Sequence, residues 1–292
     1  MPATPYFHVD VFGTRPLTGN GLAVFVHTDA WSAPAMQALT QEMKQFESIF
    51  LSEIGPQGAR ARVFTVEEEL PFAGHPVLGA AVVLHRLLSP EAAQAEWVLQ
   101  LPLGPLTVRT QRAEAHHRAE MNQGRAAIGE AIDSKVLGPI LAALGLGPQA
   151  LVAGLAARVM STGLPYLVLP VQAQALDQVA FSGQNLEPLL AVLGAKFVFL
   201  LDPVGREVRT WDNLGRVEDV ATGSAAGPAA AYLWLAGLAE PDAPVLLAQG
   251  RFAGRASQLQ VRRDPAGDLW VSGEVWPMAQ GTLEIPASEL QD

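Results

Sequence analysis

The 292-residue chain is 49% hydrophobic and only 16% charged, which is ample for buried cores in one large or two smaller domains and excludes a disordered class. A net charge of −10 without any basic cluster argues against nucleic acid or an anionic membrane surface as a partner. Cysteine is absent, which removes disulfides, thiolate metal sites and thiol catalysis together.

No apolar run approaches the roughly 18 residues of a membrane span. The opening MPATPYFHVDVFG starts a strand pattern in place of a basic and then apolar leader, so a cytoplasmic location is expected. In chain order, strands are expected at 6–12 and 22–28, a helix at 34–45, and strands at 48–53 and 61–66. A helix at 76–88 and strands at 96–101 and 106–111 follow, bounded by Gly, Pro and Asn. The stretch 118–134 reads as a linker. Beyond it, helices are expected at 134–144 and 225–238. Strands are expected at 166–171, 196–201, 207–211, 245–249, 259–263 and 269–275. This order is no regular alternation of strand and helix, so a doubly wound parallel sheet fits poorly.

A weak internal repeat organises the chain. PFAGHPVLGAAVVLHRL (71–87) aligns with VATGSAAGPAAAYLWLA (220–236), each after an acidic segment. Each copy has a small residue, a glycine, a polar residue, and an apolar helix with a second glycine early in it. Helices so poor in polar residues should be buried, wrapped by strands.

Helix N-termini leave backbone N–H groups unpaired and partly positive, and a preceding glycine lets a ligand come close. Gly74 with His75, and Gly223 with Ser224, could each supply such a place. Ser224 reads equally as an ordinary N-cap. His75 could be a locally satisfied histidine, or a neutral imidazole whose pKa the helix start lowers. Asp219 and Glu218 read as solvated acids near a helix start or, for Asp219, as a site residue. Glu47, in QFESIFLSE, has apolar neighbours Phe46, Ile49 and Phe50 that would desolvate a general acid/base, although a solvent-facing strand-edge acid fits the same pattern. Glu67, Glu68 and Glu69 read as a solvated run.

Other arrangements fail. The spacing around Gly223-Ser224 is not that of a G-x-S-x-G elbow, and no dinucleotide or phosphate-loop fingerprint is present. His116 and His117 are adjacent and would point to opposite faces of a strand, so no metal is expected.

The segments VDVFGTRPLTGNGLAVF, QFESIFLSE, FTVEEELPFAGHPVLGAA, STGLPYLVLPV, VEDVATGSAAGPAAAYL and QGRFAGRASQLQV with VSGEVW resemble the phenazine-biosynthesis PhzF-like isomerase family. That family is a branch of the diaminopimelate-epimerase-like fold. The resemblance covers nearly the whole chain, and FAGHP followed about 145 residues later by the D-x-A-T-G-S-A segment is a specific combination.

The resemblance implies an α+β fold of two pseudo-symmetric halves, each a curved, mainly antiparallel sheet around a central apolar helix. The halves would be residues 1–122, with 279–292 returning, and residues 123–278, with the active site in the cleft between them. It implies a cofactor-independent isomerase that shifts a proton on a small carboxylated substrate, and a homodimer. Glu47 would be the general acid/base, and His75, Asp219 and Ser224 its polar supports. Gly74 and Gly223 would bind the substrate carboxylate through backbone N–H groups. Relatives that invert stereochemistry with two thiols are excluded by the absence of cysteine. A non-catalytic anion-binding module and an epimerase with carboxylate and histidine bases remain alternatives. Gly21 and Val220 stand where the family usually has Pro, and QFESI replaces a more polar context, which leaves the substrate open.

Overall fold

The protein is described here by a computed structural model covering residues 4–286 and 288–291. Residues 1–3, 287 and 292, which the sequence reading assigned to the first half, lie outside the described residues. The chain divides into two compact units, residues 1–122 with 272–292, and residues 123–271. The return to the first unit falls at 271/272, before the 278/279 expected from sequence. It occurs inside one continuous strand, whose alternation carries no mark of the crossing.

In the first unit the elements are β1 (Thr4–Val11), β2 (Asn20–Val26), α1 (Ala33–Met43), β3 (Glu47–Gly55), β4 (Gly58–Thr65) and β5 (Glu69–Leu70). They continue with α2 (His75–Leu88), β6 (Gln94–Leu101), β7 (Gly104–Arg112) and β8 (His117–Asn122). The sheet runs β1-β2-β3-β4-β6-β7-β8, with β5 beside β4. Pairing is antiparallel except at β2–β3 and β4–β6. These parallel pairs follow from the crossover helices α1 and α2, since a parallel neighbour cannot be reached by a tight turn.

α2 packs against β1 to β4 and β6 to β8, and every residue from His75 to His85 is buried. Its early glycine serves close packing, because a Cβ on Gly79 would stand 2.4 Å from Leu22 Cδ2 and 3.0 Å from Val9 Cγ2. α1 covers the opposite face over Phe25, Phe50 and Phe64, with the first two rings stacked at 4.8 Å. α1 is capped by Ser32, whose Oγ accepts from Ala35 N at 3.3 Å.

The expected linker at 118–134 is mostly strand. β8 buries His117, Ala119 and Met121 at alternate positions and pairs with β7, and β9 (Ala127–Ile132) begins five residues after β8 ends. The sequence signal is weak because the buried positions of β8 include His and Ala, and β9 is largely exposed.

The second unit contains β9, α3 (Gly138–Ala143), β10 (Ala157–Ser161), β11 (Pro165–Pro170), α4 (Ala173–Gln178), α5 (Glu187–Ala191) and β12 (Phe197–Leu201). It continues with β13 (Val208–Arg209), α6 (Gly223–Leu235), β14 (Val245–Gln249) and β15 (Ser257–Arg263). Its sheet runs β13-β12-β11-β10-β9, and β14 pairs antiparallel with β15. α6 packs on β10, β11 and β15, while Leu141, Leu176 and Leu190 of α3 to α5 join Leu167, Leu200 and Trp211 in a separate cluster. β9, β10, α4 and α5 went unread, because helices of five or six residues are too short to show a period.

The final long strand, β16 (Leu269–Leu283), pairs antiparallel with β1 from Val11↔Val275 to Thr4↔Leu283. The last helix, α7 (Ser288–Gln291), accepts Ser32 N on Leu290 O at 2.8 Å.

Candidate active site

The first unit builds one cluster at the start of α2. Glu47 opens β3 opposite Leu22 of β2 and Thr65 of β4, on the sheet face that receives α2. His75 is the first residue of α2 and presents Nδ1 3.3 Å from Glu47 Oε2. Asn20, the first residue of β2, places Nδ2 3.2 Å from the same Nδ1. Glu47 is 6% exposed and His75 2%, so both are withdrawn from solvent. His75 Nε2 is buried and has no hydrogen-bond partner among the described residues.

Burial pushes the His75 imidazole down to about 3. Desolvation, in place of the helix start expected from sequence, is the physical cause of this lowering. The ring is therefore neutral at pH 7, and its contact with Glu47 is a hydrogen bond and not an ion pair. Two arrangements fit. With Nδ1 carrying the ring proton, it donates to a Glu47 carboxylate, and the Asn20 amide presents Oδ1 to the ring in place of Nδ2. With Nδ1 accepting, a protonated Glu47 donates to it and Nε2 carries the ring proton. The pair can hold a proton on either side of one 3.3 Å contact, which is what a group that removes and returns a proton needs.

The second unit builds a different cluster at the start of α6. Asp219 and Ser224 are 4% and 5% exposed. Thr222 Oγ1 donates to Asp219 Oδ2 at 2.6 Å, and Tyr166 OH and Ser224 Oγ share a hydrogen bond of 2.7 Å. Gln249, the last residue of β14, donates from Nε2 to Asp219 O at 2.7 Å and accepts Thr222 N on Oε1 at 2.9 Å. Ser224 is not the N-cap: that place belongs to Thr222, which makes no side-chain cap bond.

Inside α6, Pro228 lacks the N–H that would reach Ser224 O, and Thr162 Oγ1 approaches that carbonyl at 3.4 Å. Gln123 Nε2 donates to Gly223 O at 2.9 Å.

α2 and α6 thus both begin without a side-chain cap, at Gly74 and at Thr222-Gly223, in contrast to α1 with its Ser32. Their first N–H groups remain for another acceptor. The structure brings Glu47 and His75 together, and in the other unit it gathers Asp219 with Thr222 and Ser224 with Tyr166.

Two readings of nearby acids are corrected. Glu218 is no solvated acid: Arg209 binds it through two bonds of 2.8 and 2.6 Å, half-buried. Glu69 is tied to Arg62 by two bonds of 2.7 Å, whereas Glu67 and Glu68 are exposed. Asn20, Tyr166, Thr222 and Gln249 were not singled out from sequence. Each lies inside a segment that carried the family resemblance, but uncharged side chains give no sign of their partners.

Comparison with known proteins gives the family of the chain. The family model of phenazine biosynthesis-like proteins, PhzC-PhzF, matches residues 9–274. The trans-2,3-dihydro-3-hydroxyanthranilate isomerase of Pseudomonas aeruginosa is 31% identical over 94% of this chain and 98% of its own. A solved structure of a predicted epimerase from Pseudomonas aeruginosa is 50% identical, with a TM-score of 0.93 over 97% of this chain and 100% of that one. A hydroxyproline epimerase of Agrobacterium vitis, 11% identical with a TM-score of 0.62 over 99% of this chain and 95% of that one, shares the fold. The fold is α+β and diaminopimelate-epimerase-like, and the chain is an isomerase belonging to the PhzC-PhzF family of phenazine biosynthesis-like proteins.

Proposed function

We propose that this isomerase works without a cofactor, moving a proton on a small carboxylated molecule by general acid/base catalysis. The observation that carries the reading is the buried contact between Glu47 Oε2 and His75 Nδ1. Glu47 takes the proton from one carbon and returns it to another, and His75 exchanges a hydrogen bond with whichever form of the carboxyl is present. Asp219 and Ser224 support the substrate's polar groups, and the N–H groups at Gly74 and Gly223 receive its carboxylate. Withdrawal from water strengthens these hydrogen bonds, and the proton held on Glu47 exchanges with solvent before its return.

The first compound to test is trans-2,3-dihydro-3-hydroxyanthranilate, on which the 31% identical relative acts. Turnover in D2O, followed by NMR, should place deuterium at the protonated carbon. Glu47→Gln should lower that incorporation about 10³-fold, equivalent to roughly 4 kcal/mol of barrier, while thermal unfolding stays within a few degrees. Undiminished incorporation would remove Glu47 from the role.

The 50% identical predicted epimerase favours a second reading, inversion at one carbon with the hydrogen-bonded Glu47–His75 pair acting as one of the two bases. Optical rotation of recovered substrate separates it from a positional shift. The proposed working form is a cytoplasmic homodimer that binds no nucleic acid, and sedimentation tests the dimer. Among the described residues no helix is long and apolar enough to cross a membrane.

A further inference from the structure

The hydrogen bonds around Asp219 can be assigned a direction without seeing a hydrogen. Gln249 touches two main-chain groups of fixed polarity, the carbonyl of Asp219 at 2.7 Å and the N–H of Thr222 at 2.9 Å. A carbonyl only accepts and an N–H only donates, so Gln249 must place Nε2 on Asp219 and Oε1 on Thr222. The reversed amide would set oxygen against oxygen and N–H against N–H.

With that orientation fixed, the contact of 2.9 Å between Gln249 Nε2 and Thr222 Oγ1 is a bond in which Gln249 donates. The Thr222 hydroxyl has one proton. Gln249 Nε2 cannot accept that proton, so it goes to the oxygen's other partner, Asp219 Oδ2 at 2.6 Å. Asp219 Oδ2 is therefore an acceptor.

The arrangement is built to be held. Gln249 is 2% exposed and Thr222 6%. Gly250, at φ +83°, lets the end of β14 press on the loop, because a Cβ there would lie 2.7 Å from Val220 O. The nearby charges of Glu218 and Arg209 are bound to each other.

We infer that Gln249 is a positioning residue that, through Thr222, holds Asp219 as a hydrogen-bond-accepting carboxylate. This rests on the proposed role of Asp219 as a site residue but assigns a new relay behind it. The division of labour follows: Asp219 stays a fixed anion, and the mobile proton belongs to Glu47.

The test needs no turnover. Label the aspartates with 13C at Cγ and follow the Asp219 carboxyl shift against pH in the wild type and in Thr222→Val, Thr222→Ser and Gln249→Met. Losing a donor to a carboxylate disfavours its ionised form, so the Asp219 midpoint should rise by about one pH unit in Thr222→Val. Gln249→Met should raise it by about half as much, because the Thr222 hydroxyl is no longer held toward Asp219 and no charge is introduced. Thr222→Ser should restore the wild-type midpoint within about 0.3 unit. The double variant Thr222→Val/Gln249→Met should match Thr222→Val, since the two residues act in series.

A wild-type midpoint in Thr222→Val would overturn the relay. So would additive shifts in the double variant, or a Thr222→Ser midpoint displaced as far as that of Thr222→Val. If these titrations behave as expected while Glu47→Gln leaves deuterium incorporation intact, the relay stands and the catalytic reading falls.

Discussion

At the start of α2, a carboxyl and an imidazole share a contact of 3.3 Å and the far ring nitrogen has no partner among the described residues. At the start of α6, both hydrogens of the Gln249 amide are committed, as are the Thr222 hydroxyl and N–H, and Ser224 is bound to Tyr166. The repeat that produced both helices thus ends in opposite chemistry. One copy leaves a proton somewhere to go, and the other fixes the direction of the bonds around Asp219.

Histidine usage follows the same line. All six lie in the first unit, at 8, 27, 75, 85, 116 and 117, and residues 123–271 contain none. A carboxyl and a neutral imidazole that share one contact in the first copy, and hydroxyls and amides around a carboxylate in the other, make the difference between a mobile and a fixed proton inventory.

The largest effect that would break this contrast is the loss of deuterium incorporation in Glu47→Gln; if it fails to appear, neither copy is the titrating one. Acid stability comes next. Burial holds His75 down to about 3 and, with the neighbours His85, Arg86, His116 and Arg112, holds His117 down to about 4. Both rings stay neutral in the fold while the unfolded chain protonates them near 6.5. The stabilisation is therefore complete above that value and is lost as pH falls from about 6.5 through the folded values. Between pH 7 and 5 the two should cost about 3 kcal/mol, read by urea unfolding, with His117→Gln removing roughly half. Hydrogen exchange at pH 5 should accelerate in residues 1–122 before residues 123–271. Simultaneous acceleration would deny the asymmetry.

A smaller effect probes the second glycine of each repeat. Gly79→Ala drives a methyl into Leu22 and Val9, and should cost about 2 kcal/mol on unfolding. At Gly227, one position before the counterpart of Gly79, the obstacle is Gln123 Oε1, 2.4 Å from an added Cβ, so Gly227→Ala should disturb the hold on Gly223 O more than the core. The smallest effect is Tyr166→Phe, which leaves Ser224 Oγ without its 2.7 Å partner. About 1 kcal/mol of stability and less than tenfold in turnover are expected, by thermal melt and kinetics. A hundredfold loss would place Tyr166 in the chemistry.

Much of the fold was legible before any coordinates. Short β-branched runs marked β1 to β4, β6, β7, β11 and β12, because alternation and turn residues are local properties. The two apolar helices announced their own burial. β8 was hidden because its buried positions include His and Ala, and β9 because it is largely exposed. Glu47 and His75 were legible as candidates, the acid from its apolar neighbours and the histidine from its glycine.

What the sequence by itself determined is therefore the set of elements with a strong local period, and the repeat that opens two buried helices on glycine. Tertiary structure alone decided that His75 meets Glu47, which depends on the parallel register of β2 with β3 and on how deeply Gly79 lets α2 settle on the sheet. It alone decided that Gln249 reaches back to Asp219 and Thr222, residues distant along the chain. Hydrogen-bond partners are chosen by which polar groups burial leaves together, and burial is a property of the assembled unit, not of any window of its sequence.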